Sequence, residues 1–152
     1  MDLWDICRTK KSPILITNIS KFSPKAETYI PALQKLYKKY RRQGFEVLAF
    51  ECHQFSPSPN STRIPHDELA NYYEQYFGTT FKIFPPVYVN GPTAHPVFQY
   101  LRSKEQCNKL ASEGRKIPAD FSAFLLNGEG TLVQKWDYQS QPSNLDQIIQ
   151  SF

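Results

Sequence analysis

The side chains with the most chemistry in this sequence are three cysteines, three histidines and a glutamine that follows one of the cysteines. Cys7, Cys52 and Cys107 stand far apart, with no C-x-x-C pair and no metal-ligand spacing. His53, His66 and His95 share no helical interval that would set two of them on one face. No metal site and no cofactor is therefore expected. An odd number of cysteines in a chain without an apolar leader points to reduced thiols. In "CHQF", residues 52–55, a thiol, an imidazole and a carboxamide follow one another, but no second nucleophile stands beside His53 in the sequence. A thiol becomes a nucleophile only as the thiolate, so what surrounds each cysteine decides its chemistry.

The elements that would position these groups can be read from hydrophobic spacing. "PILITNI", residues 13–19, is a nearly continuous apolar run, as expected of a central strand covered on both faces. After a Ser-Pro turn, Ile30, Leu33, Leu36, Tyr37 and Tyr40 recur at helical spacing. Lys35, Lys38, Lys39, Arg41 and Arg42 occupy the opposite side, toward the helix C-terminus, and Gly44 supplies a C-cap. "FEVLAF", residues 45–50, is a second strand, completing a βαβ unit with parallel strands and a right-handed crossover. A Pro-, Ser- and Asn-rich loop over residues 53–65 leads to a helix with Leu69, Tyr72, Tyr73 and Tyr76 on one broad face, closed by Gly78. "TFKIF" reads as a short strand or extended segment, and "AHPVFQYLRSK" as a helix with Pro96 in its first turn. Two strands pair around Asn127-Gly128, and Ser143 with Asp146 caps a last helix. This order predicts one domain over residues 1–152, an α/β sandwich whose mixed sheet has a parallel half and an antiparallel half.

Composition excludes several classes. With 152 residues there is room for one domain with a real core. Apolar content of 40% and charged content of 21% are those of an ordinary globular chain, and the formal charge of +4 does not mark a dedicated nucleic-acid binder. No run approaches the roughly 18 apolar residues needed to span a bilayer, and "MDLWDICRTKKS" lacks a signal-peptide core. The expected setting is intracellular, cytoplasmic or an organelle such as the mitochondrion, and not secreted. The sequon Asn18-Ile19-Ser20 falls in the first strand, and Asn60-Ser61-Thr62 means little without a secretory route.

Five stretches carry a resemblance: "ILITNISK", "LQKLYKKYRRQGFEVLAF", "CHQF", "VNGPTAHPVFQYL" and "FSAFLLNGEGTLVQKW". Over residues 12–152 the chain resembles the glutathione peroxidase family of the thioredoxin-like fold, most of all its short members that draw electrons from thioredoxin or tryparedoxin. The resemblance implies a thioredoxin-like α/β sandwich. It also implies that the nucleophilic cysteine or selenocysteine belongs just after the first strand, in a motif like S-K-C-G. Here that motif reads Ser20-Lys21-Phe22-Ser23. The family's glutamine matches Gln54, and its W-N-F matches Ala119-Asp120-Phe121. The resolving cysteine of the thioredoxin-dependent members matches Glu74. A phenyl ring at Phe22 provides no nucleophile, and a carboxylate at Asp120 opposes a neighbouring thiolate. Only residues 1–11 precede the first strand, where the family usually opens with a β-hairpin. The connection over residues 105–118 has no counterpart of the insertion used for tetramers, so no family-type tetramer is expected.

Three functional expectations follow. The first is a catalytically inactive homologue, not an enzyme, serving as a structural or protein-binding subunit of a larger assembly. Its interface would draw on Lys38, Lys39, Arg41, Arg42, Tyr72, Tyr73 and Tyr76. The second is a weak thiol peroxidase or redox sensor that uses Cys52 or Cys107. Cys52 matches a cysteine that the family carries beside its pocket without using it as nucleophile, and it otherwise reads as a small buried side chain. The third is a module that binds nucleic acid or another polyanion through the basic helix, whose plainer reading is a solvated face.

Overall fold

In the computed structural model, which describes residues 12–21, 23–55, 66–106, 117 and 120–136, the first two strands are buried at every position. These are β1 (Ile14–Ile19) and β2 (Glu46–Glu51), paired in parallel with Ile14 opposite Glu46 and Ile19 opposite Glu51. Their continuous apolar character follows from cover on both sheet faces. The helix α1 (Ala26–Tyr40) joins them, followed by a 3-10 turn over Arg41–Gln43. Gly44 then reverses the chain at φ 93°, and a Cβ there would lie 2.3 Å from Ser12 Oγ, so the C-cap needs glycine on two counts.

The remaining elements are α2 (His66–Phe77), β3 (Lys82–Phe84), α3 (Pro96–Gln106), β4 (Ala123–Leu126) and β5 (Leu132–Trp136). The sheet order is β3-β2-β1-β4-β5. β3 is parallel to β2, β4 antiparallel to β1, and β5 antiparallel to β4, which is the mixed sheet expected. Strand alternation sorts the core into two layers. Leu15, Ile19, Val47, Ala49, Ala123 and Leu125 meet Tyr29, Ile30 and Leu33 of α1 and Leu69 and Tyr73 of α2. Ile14, Ile16, Leu48, Phe50, Phe124 and Leu126 meet Phe98 and Leu101 of α3, together with Val89 and Ile117.

Two details differ from the sequence reading. The hairpin closes through five residues between Leu126 and Leu132, not around Asn127-Gly128 alone. The Asn127 carboxamide accepts bonds from Glu129 N (2.9 Å) and Thr131 N (3.0 Å), and Gly130 takes the positive φ of 84°. A side-chain-capped turn has replaced a two-residue one. On α2, Tyr76 is 59% exposed, while Phe77 packs toward the core instead. Residues 1–11, the loop 56–65, residues 107–116 and the final helix expected from Ser143 lie outside the described residues.

Candidate active site at the ends of the central strands

Because β1 and β2 are parallel, they deliver the residues that follow them to the same edge of the sheet. β1 delivers Ser20 and Lys21, and β2 delivers Glu51, Cys52, His53 and Gln54. Cys52 N still donates to Ile19 O at 2.9 Å, so the pairing runs one residue past the strands. Asp120 arrives from the other side of β1. Its neighbour Phe121 donates to Asn18 O at 2.7 Å, Ser122 N donates to Asn18 Oδ1 at 3.2 Å, and Thr17 Oγ1 donates to Ser122 O at 2.8 Å. Phe121 holds φ 66°, a conformation that bulky residues rarely adopt, and its ring packs on Tyr29 with centroids 4.6 Å apart.

Alternation then separates two neighbours in the chain. Glu51 follows Val47 and Ala49 toward the face of α1 and α2, whereas Cys52 follows Leu48 and Phe50 into the layer under α3. Glu51 is fully buried, and a buried carboxylate must be paired. The Tyr73 hydroxyl donates to its Oε2, His53 Nε2 lies 3.0 Å from Oε1, and Lys21 Nζ lies 3.6 Å from the same oxygen. Burial first, and then the adjoining Glu51 carboxylate, push the Tyr73 phenol far above its ordinary range. Asp120 Oδ1 is buried with no hydrogen-bond partner among the described residues. Burial and the Glu51 charge raise its carboxyl to about 6, partly offset by His53.

Cys52 is fully buried, and its thiol donates to Gln54 Oε1 at 3.7 Å. Burial raises it to about 11; Asp120 and Glu51 add to the rise, while hydrogen bonds at Gln54 and Val89 oppose it. Gln54 also accepts from Val89 N (2.7 Å) and Asn90 N (3.2 Å) and donates to Asn90 O (3.2 Å). Its carboxamide thus clamps the segment between β3 and α3 beside the thiol. Asn90 passes the clamp on, accepting from Ile117 N at 2.8 Å and donating to Ile117 O at 2.7 Å.

Of the positions singled out in the sequence, Gln54 and Asp120 come together with Cys52, while Phe22, Ala119, Cys7 and Cys107 lie outside the described residues. Glu74 is exposed on α2. Tyr73 is not interface material: it is fully buried at one turn's spacing from Leu69, with its hydroxyl on Glu51. Tyr72 is half-buried and stacks on the exposed Tyr76 at 5.7 Å, and Tyr76 donates to Glu27 at 3.1 Å. Lys38, Lys39, Arg41 and Arg42 are all exposed. His95 caps α3, its Nδ1 accepting from Val97 N at 3.2 Å. The sequence reading missed Glu51 and Asn90. The signal for Glu51 was a glutamate that ends an otherwise apolar strand run. Among the described residues no cluster of three or more His, Cys, Asp or Glu side chains is arranged to hold a metal ion, and no helix is long and apolar enough to cross a membrane.

A mixed sheet with helices on both faces, and the strand-end site just described, define a thioredoxin-like protein. The sequence profile of the family "Glutathione peroxidase" matches residues 4–102. The chain is 34% identical over 146 residues to the glutathione peroxidase-like peroxiredoxin 2 of Saccharomyces cerevisiae, covering 93% of this chain and 83% of that one. It is 31% identical over 141 residues to a glutathione peroxidase of Lactococcus lactis, covering 91% and 83%. The crystal structure of T. cruzi GPX1 superposes with a TM-score of 0.69 at 25% identity, covering 99% of this chain and 85% of that chain. The chain belongs to the glutathione peroxidase family.

These relatives overturn two expectations drawn from the substituted positions: that the chain is not an enzyme, and that it is an inactive structural subunit. Relatives at this level of identity are named as peroxidases and peroxiredoxins. The physical reason for the correction lies in what the chemistry needs. A phenylalanine at residue 22 removes one place of attack but not every thiol beside it, because Cys52, though buried, stands at the end of the adjoining strand.

Proposed function

We propose that the chain is a slow thiol peroxidase of this family that reacts through Cys52. The observation that carries the reading is the placement of the Cys52 thiol at the C-terminal end of β2, hydrogen-bonded to Gln54. Family membership supports the reaction class. In the reaction, the Cys52 thiolate attacks one peroxide oxygen and the O–O bond breaks. The sulfur becomes a sulfenic acid, and the departing alkoxide or hydroxide takes up a proton. A thiol reductant then condenses with the sulfenic acid to a mixed disulfide and releases water. A second thiol displaces Cys52 and takes the disulfide away. With the thiol raised to about 11, roughly one in ten thousand is ionised at pH 7. Complete burial further restricts the oxidant, so the turnover is slow and a sensing role fits the same chemistry. An intracellular setting supplies such thiols.

The test is hydrogen peroxide consumption with a small dithiol as reductant, comparing the wild type with Cys52→Ser, Cys7→Ser and Cys107→Ser. The proposal expects loss of the protein-dependent rate in Cys52→Ser alone. Retention of that rate in Cys52→Ser, with loss in another variant, would move the reaction to a different thiol.

A further inference from the structure

The basic side of α1 plays no part in the strand-end site. Lys35, Lys38 and Lys39 are exposed on the helix, and Arg41 and Arg42 are exposed on the 3-10 turn that continues it. Between Glu27 and Glu46 the sequence has no acidic residue, and Glu27 sits in the first turn of α1, where it accepts from Tyr76. The helix dipole accounts for cations in the last turn, but not for Lys35 a turn earlier or for the two arginines beyond the end.

The chemistry around these cations selects their partner. The apolar residues of α1 are spent on the core: Ile30, Leu33 and Tyr40 are buried, and Leu36 and Tyr37 pack against them. Tyr40 is buried with Lys39 Nζ over its ring at 5.1 Å from the centroid, and Tyr37 is half-buried against Phe81 at 6.1 Å, so neither ring is an open platform for a base. That disfavours single-stranded nucleic acid, which uses aromatic platforms. An anionic membrane attracts such cations but anchors them stably only with an inserted apolar or lipid group, which this face lacks, and a protein partner needs an apolar centre to its interface. A duplex phosphate backbone needs neither, because release of its counterions drives binding. Lys35 to Arg42 spans about 10 Å at the helical rise. Five cations over that length approach the duplex density of about one phosphate charge per 1.7 Å of axis.

We infer that this face binds the phosphate backbone of a double-stranded nucleic acid without reading its sequence. The test is fluorescence anisotropy with a labelled DNA duplex of about 20 base pairs, titrated with the whole protein at salt from about 50 to 200 mM. Five contacts predict that the affinity falls roughly a hundredfold or more across that range. The charge-reversed variant Lys38→Glu, Lys39→Glu, Arg41→Glu, Arg42→Glu should bind at least tenfold more weakly, with an unchanged circular dichroism spectrum. Lys82→Glu, an exposed reversal on β3, should bind as the wild type does. The inference is overturned by a four-site variant within about twofold of wild type, or by affinity that barely responds to salt. Tighter binding to phosphatidylserine vesicles than to the duplex would overturn it too, by replacing the partner.

Discussion

Replacing Asp120 with asparagine removes a carboxyl that the fold holds at an unfavourable place. The carboxyl titrates at about 6 against an ordinary 3.8, chiefly through burial and then through Glu51. The native state therefore binds this proton more tightly than the unfolded chain does. Stability from Asp120 is fully present below pH 3.8 and is lost as the pH rises through 6. The full difference corresponds to roughly 3 kcal/mol. Part of the side chain still meets water, and halving the figure for that screening leaves roughly 1.5 kcal/mol. Asp120→Asn keeps the shape and removes the charge. Urea unfolding at intervals from pH 4 to pH 8 should show the variant gaining about 1.5 kcal/mol on the wild type between pH 4 and pH 7, with no further gain at pH 8. Parallel stability curves for the two proteins across pH 4–7 would refute the reasoning, because they would mean that the carboxyl feels neither burial nor Glu51.

Three further substitutions probe the scaffold around the site. Tyr73→Phe leaves the buried Glu51 carboxylate without its phenol and should destabilise the fold by about 1.5–3 kcal/mol in denaturant titration, whereas a loss below about 0.5 kcal/mol would contradict the pairing. Gly44→Ala places a methyl group against Ser12 at a φ of 93° and should cost about 1–2 kcal/mol, read as a lowered thermal midpoint. Asn90→Ala removes both bonds to Ile117, so amide exchange at Ile117 should accelerate at least tenfold, and unchanged protection would show that another contact holds that segment.

The βαβ unit was legible because its signals are local. An apolar run of strand length, the spacing of Ile30, Leu33 and Tyr40, and Gly44 at the C-cap each depend on residues close in sequence. Tyr73 and Tyr76 were not separable in the same way. Both lie on the broad apolar side of α2, and what draws Tyr73 inward is the Glu51 carboxylate, 22 residues earlier in the chain. Glu51 itself was missed because a glutamate at a strand end ordinarily meets water. Its burial depends on Lys21, His53 and Tyr73, which come from three different segments. At the site, the adjacency of Cys52 and Gln54 could be read directly. The preference for an inactive subunit went wrong because it weighed the substituted positions Phe22, Ala119, Asp120 and Glu74 above the thiol at Cys52, which the second expectation had kept.

The central claim is that Cys52 reacts with peroxide, and the most direct test is to trap the product. The protein is treated with hydrogen peroxide in the presence of dimedone at several pH values, and the modified cysteine is located by peptide mass spectrometry. The account predicts a sulfenic-acid adduct on Cys52, slow at neutral pH and forming about tenfold faster with each pH unit until the thiol nears its pKa of about 11. An adduct confined to Cys7 or Cys107, or no adduct on any cysteine, would contradict it.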